Sequence, residues 1–89
     1  MEIEYTVQIW QEGRQFVAHA MPLDVMSSGP SPEQARRALE EAVHLFLATA
    51  RDAGTCEEIL VEAGYVFTDG KWVRPPVVAV ETQSTALTA

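Results

Sequence analysis

The sequence predicts a small α+β domain: a short antiparallel sheet carrying one long helix, in the order strand, strand, strand, helix. Three observations predict it. Hydrophobic and polar residues alternate from Ile3 to Gln11, a second β-prone run follows at Gln15 to Met21, and a strong helix start at Ser31-Pro32 opens an apolar pattern of helical spacing that lasts to Ala50. Behind the helix the sequence predicts a short helix, a hairpin and a further strand.

The first run places Ile3, Tyr5, Val7 and Ile9 on one face and Glu2, Glu4, Thr6 and Gln8 on the other, the pattern of a half-buried strand. Trp10 falls in the polar phase, so its ring is expected at the rim or outer face of the sheet. Glu12-Gly13-Arg14 makes a short turn, and Phe16, Val17 and Ala18 mark the second strand of an antiparallel hairpin. Pro22-Leu23 ends that strand, and Asp24 to Ser28 forms a brief third extended piece before Gly29-Pro30.

Ser31 suits an N-cap, with Pro32 at the first helical position and Gln34 completing a capping-box pattern. Ala35, Leu39, Ala42, Val43, Phe46 and Ala50 then recur on one face, while Arg37, Glu40, Glu41, His44 and Arg51 occupy the other. Spacing suits ion pairs between Glu33 and Arg37, Arg36 and Glu40, and Arg37 and Glu41. Gly54 is a natural C-terminal cap, and Thr55 to Glu58 repeats the capping-box pattern for a short second helix ending near Gly64. Tyr65 to Arg74 reads as a hairpin around Asp69-Gly70 that pairs Phe67 with Trp72. Val77 to Val80, after Pro75-Pro76, is a last β-prone run expected to return to the sheet as an edge strand. The domain is therefore expected over residues 1–82, with 83–89 a frayed tail.

The 89 residues bound a single domain with a modest core. With 47% hydrophobic and 21% charged residues the composition is that of an ordinary soluble protein, and no apolar run approaches the roughly 18 residues of a membrane span. The first five residues carry two glutamates and no basic residue, the reverse of a secretory leader, which points to the cytoplasm. Cys56 is the only cysteine, so neither an internal disulfide nor a cysteine metal cluster is expected. Thirteen acidic against six basic residues give a net charge of −7, which repels a phosphate backbone and attracts a basic partner. Direct nucleic-acid binding by this chain is not expected.

Candidate chemistry is sparse. His19 and His44 lack the H-x-x-x-H or H-E-x-x-H spacing of metal ligands and read as surface or core-edge residues. His19, Asp24, Ser27 and Ser28 include the residue types of a hydrolase triad, but no nucleophile elbow accompanies them, and the serines suit turn chemistry. Glu2, Glu4, Asp24, Glu40 and Glu41 do not visibly converge on a metal. Cys56 opens the second helix beside Glu57 and Glu58, whose charge opposes thiolate formation. No cofactor and no catalytic residue are assigned. Trp10 and Trp72, large aromatics without a clear core phase, are equally suited to anchoring an interface or capping the sheet.

The runs Tyr5-x-Val7-x-Ile9, Gly13-x-x-Phe16-Val17-Ala18-x-x-x-Pro22, Gly29-x-Ser31-x-Glu33-Gln34-Ala35 and Ala42-Val43-x-Leu45-Phe46-Leu47 together resemble the HicB family of antitoxins. The resemblance covers about the first fifty residues. It implies a partly degraded RNase H-like fold of three antiparallel strands, a long helix and a further strand, usually dimeric, that neutralises a small basic mRNA-cleaving toxin, HicA. Two departures accompany it. Where many family members have Leu-Pro-Gly-Cys, this chain has Pro22-Leu23-Asp24-Val25-Met26, and the segment from Gly54 to Ala89 is neither basic nor long enough for the DNA-binding domain that many of them carry. The leading expectation is a non-enzymatic antitoxin or orphan relative acting by occlusion, with Glu12, Asp24, Glu40 and Glu41 steering the partner and Trp10 anchoring it. A homo-oligomer, foremost a dimer, is expected, with Phe67 and Trp72 as its contact. The alternatives are a metal-dependent RNase H-like nuclease and a stand-alone homo-oligomeric scaffold or small-ligand binder.

Overall fold

The computed structural model describes residues 1–88 and has the predicted α+β layout. In chain order the elements are β1 (Glu2–Ile3), β2 (Thr6–Glu12), β3 (Gln15–Met21), β4 (Val25–Gly29), α1 (Pro32–Asp52), α2 (Cys56–Glu62), β5 (Val66–Thr68) and β6 (Lys71–Val73). Strands β2, β3 and β4 form an antiparallel meander in that order. In it Ile9, Ala18 and Ser27 lie side by side on the face toward α1, and Trp10, Val17 and Ser28 lie side by side on the opposite face.

The predicted first strand is interrupted. Its alternation continues through Glu4-Tyr5, but the ladder does not: β1 leaves the meander and pairs in parallel with β6, Glu2 beside Lys71 and Ile3 beside Trp72, in a second sheet ordered β1-β6-β5. Glu4 N–H completes the join by donating to the Trp72 carbonyl at 3.0 Å. One segment of chain thus serves two sheets, and the break at Glu4-Tyr5 is held by the Tyr65 hydroxyl, which donates to the Glu4 carbonyl. The C-terminal hairpin forms in the predicted register, Phe67 opposite Trp72. Its turn residues Asp69 and Gly70 both have positive φ, 50° and 80°, as a type I′ turn requires.

Helix α1 begins as predicted. Ser31, extended at φ −144°, caps it by accepting the Gln34 N–H at 3.1 Å. The Gln34 side chain meets the Ser31 hydroxyl and does not reach back to its backbone, so only half of the capping box forms. The helix start lies so close to β4 that a Cβ on Gly29 would sit 2.8 Å from the Ala35 nitrogen, which explains the glycine there. Both helices end in a Schellman pair: Gly54 N–H to Arg51 and Thr55 N–H to Ala50, then Gly64 N–H to Val61 and Tyr65 N–H to Leu60. Gly54 takes the left-handed conformation, φ +75°, that this closure needs.

The cap predicted for α2 does not form. Thr55 makes no side-chain bond to the helix start, because its hydroxyl donates to the Ala50 carbonyl at 3.3 Å and serves the end of α1. The predicted strand at Val77 to Val80 is absent too. Regular structure ends at Val73, and Pro75-Pro76, which offer no amide hydrogens, stand where the ladder would continue. Residues 75–88 are exposed throughout, and the end of the expected tail, Ala89, lies outside the described residues.

The core joins both sheets and both helices. Ala18 and Ala20 from β3 meet Ala35, Leu39 and Val43 of α1, and Leu60, Tyr65 and Trp72 extend the cluster under the second sheet. Of the apolar helix positions predicted from sequence, Ala35, Leu39, Val43 and Ala50 are buried. Ala42 is only half-buried and Phe46 remains 36% exposed, because the stripe is wider than a three-stranded sheet can cover. No described helix is long and apolar enough to cross a membrane.

Candidate functional site

The meander has one face under α1 and one face free, and the free face carries the densest group of sequence-predicted site residues. The Trp10 indole N–H donates to Glu12 Oε1 at 2.9 Å. One strand over, His19 stands edge-on to Trp10, ring centroids 6.0 Å apart and planes at 82°. His19 Nε2 lies 2.6 Å from Asp24 Oδ1. Antiparallel register explains the row: Trp10 pairs with Val17 and Gln8 with His19, so the two rings are diagonal neighbours on one face. Asp24 reaches His19 because the β3–β4 turn holds it in a left-handed conformation, φ 61°, with its N–H donating to the Ala20 carbonyl at 2.8 Å.

The outcome is a line of four side chains, carboxylate, indole, imidazole, carboxylate, flanked by Val17 and the exposed Met21 and Met26. Chemically it suits a cation. Two carboxylates bracket an aromatic surface, so a lysine or arginine placed over Trp10 gains cation–π attraction and a charged partner on either side. His19 was not singled out from sequence as a contact residue. The available signal was its spacing of five from Asp24 across a tight turn, which in a hairpin brings two side chains together.

Glu40 and Glu41 lie elsewhere, on the exposed face of α1. The predicted pairs Arg36 with Glu40 and Arg37 with Glu41 do not form. Both arginines turn to Glu33 instead, Arg36 at 2.8 Å and Arg37 at 3.7 Å, which leaves Glu40 and Glu41 without an ion pair among the described residues. Glu40 borders an open cleft of about 410 Å³ between β1 and α1, with Tyr5, Val43, His44, Arg51 and Cys56 also among its lining residues. Burial, reinforced by the negative charge of Glu40, pushes the Tyr5 hydroxyl above its ordinary pKa. Among the described residues no three histidine, cysteine or carboxylate side chains gather as a metal site would need. Glu4 is engaged by Lys71 at 3.5 Å and Asp24 by His19, so the carboxylates considered for a metal centre point to separate partners.

Trp72 is only 8% exposed, and its indole N–H faces Met1 Sδ at 3.3 Å, so it belongs to the chain's own core. Its cross-strand partner Phe67, 5.2 Å away between centroids, is 54% exposed beside Val66 and is the part of the proposed oligomer contact that a partner could touch. No family model matches this chain, and no curated protein or solved structure is significantly similar to it.

Proposed function

We propose that the protein is a HicB-like antitoxin, acting in the cytoplasm, that neutralises a small basic HicA-type mRNA-cleaving toxin by occlusion and performs no chemistry itself. The observation that carries this reading is the uncovered row Glu12, Trp10, His19, Asp24, a cation-receptive strip with an aromatic centre on the free face of the sheet. The net charge of −7 supplies long-range attraction for a basic partner, and Glu40 and Glu41 add to that field from another side of the molecule. Three antiparallel strands, a long helix and a further strand are the elements the family resemblance implies, and this chain has them in that order, the further strand pairing with β1 in a second sheet.

Titration calorimetry against a small basic HicA-type toxin tests the reading. Association at low salt is expected, weakened as salt rises, with the toxin's RNA cleavage suppressed at one-to-one stoichiometry. Trp10→Ala is expected to cost about 2 kcal/mol or more of binding, the loss typical of a central aromatic anchor. A toxin that fails to associate at low salt, or binds Trp10→Ala as tightly as the parent, removes the proposal.

A further inference from the structure

Beyond Val73 the chain leaves the body as an arm. A compact chain of this length has a radius of gyration of about 12 Å. The observed value is 15.5 Å, with extents of 47 × 31 × 24 Å. The arm's root is fixed, because Arg74 donates to Thr6 Oγ1 at 2.7 Å at the head of β2. Its next residues are strand-prone and apolar, Val77-Val78-Ala79-Val80, with Val78 95% and Val80 75% exposed.

Beside the arm's root the sheet has an unfilled edge. β2 pairs with β3 on one side only; on its other side β6 accompanies the chain as far as Glu4 and then stops. From Val7 to Gln11 the outward N–H and C=O groups of β2 have no backbone partner among the described residues. Unpaired edges of this kind accept an added strand. The chain's own arm does not fill this edge: residues 75–88 form no strand and are exposed throughout.

We propose that two copies of this chain exchange arms, the Val77–Val80 segment of each adding as a strand to the free β2 edge of the other. A second copy is the fitting occupant because it supplies such a strand, and because residues 75–80 carry no charge, so the negative body of the partner does not repel them. Reciprocal exchange also makes the contact self-complementary, as a two-fold dimer requires. The inference does not depend on the antitoxin reading.

Sedimentation equilibrium of the full chain at about 100 µM is expected to return twice the 9.8 kDa chain mass. The double substitution Val78→Pro, Ala79→Pro is expected to raise the dimer dissociation constant by about tenfold or more, since one of two adjacent amides must face the β2 ladder and each arm loses that hydrogen bond. The circular dichroism of the dilute protein should stay unchanged, because Val78 is 95% exposed and lies in no strand or helix of its own chain. Chains bearing Ala79→Cys, mixed with chains bearing cysteine at Thr6, Gln8 or Gln11, are expected to form mixed disulfides under mild oxidation. A monomer at that concentration, a Val78→Pro, Ala79→Pro dimer of undiminished affinity, or Ala79→Cys chains that link only to one another would each overturn the arm exchange.

Discussion

Replacing Gly29 by alanine tests whether the seat of α1 on β4 is as tight as the geometry makes it. The added methyl would meet Ala35 N at 2.8 Å, the Gln34 carbonyl carbon at 2.9 Å and Gln34 Cβ at 3.0 Å. The first two are backbone atoms of the first helical turn, which is itself fixed by the Ser31 cap. No side chain can rotate aside, so relief requires the helix start to move off the strand, and overpacking of that kind costs about 1–3 kcal/mol. For a domain of this size the melting temperature then falls by roughly 4–8 °C per kcal/mol. Urea unfolding followed by far-UV circular dichroism is the assay, with the midpoint lowered and the slope unchanged. Ser28→Ala, one residue away on the free face, serves as the control and is expected to stay within about 0.5 kcal/mol of the parent. A Gly29→Ala chain as stable as that control would refute the close approach.

Three further outcomes follow from the same packing. Ser31→Ala removes the cap from α1 and is expected to cost about 1 kcal/mol by urea unfolding. Tyr65→Phe deletes the hydroxyl that holds the Glu4 carbonyl and leaves that acceptor without this donor, a loss of about 1–2 kcal/mol in the same assay. Burial raises the Tyr65 pKa above its ordinary value of 10.0, with Arg74 opposing and Glu4 and Tyr5 reinforcing, so the folded state holds this proton more tightly than the unfolded chain. Its stabilisation is complete below pH 10 and is lost as the pH climbs from there through the folded-state value. Alkaline titration of stability should therefore show a decline that is shallower in Tyr65→Phe.

The parts of the fold legible in the sequence are those whose causes are local. The Asp69-Gly70 turn sets the register of Phe67 and Trp72, and Ser31, Pro32 and Gln34 fix where α1 begins, all within a few residues. The break at Glu4-Tyr5 was not legible, because alternation is the same on both sides of it and its cause, pairing with β6, lies some seventy positions further on. Thr55 carries a cap signature, yet its hydroxyl joins its own N–H on the Ala50 carbonyl at the end of α1. At the candidate site Trp10 was readable from its phase, whereas its grouping with His19 required the register of β2 on β3. Trp72 shows the converse: a residue type suited to interfaces is drawn inside by Met1 and Phe67, which only the tertiary arrangement brings to it.

The strand shared between two sheets has a consequence for biosynthesis. The meander and α1 depend on neighbours emerging from the ribosome in succession, so they can assemble early, whereas Ile3 must wait for Trp72. For most of translation Glu2 and Ile3 therefore remain unzipped, and bulk placed against them would crowd the last joint to close.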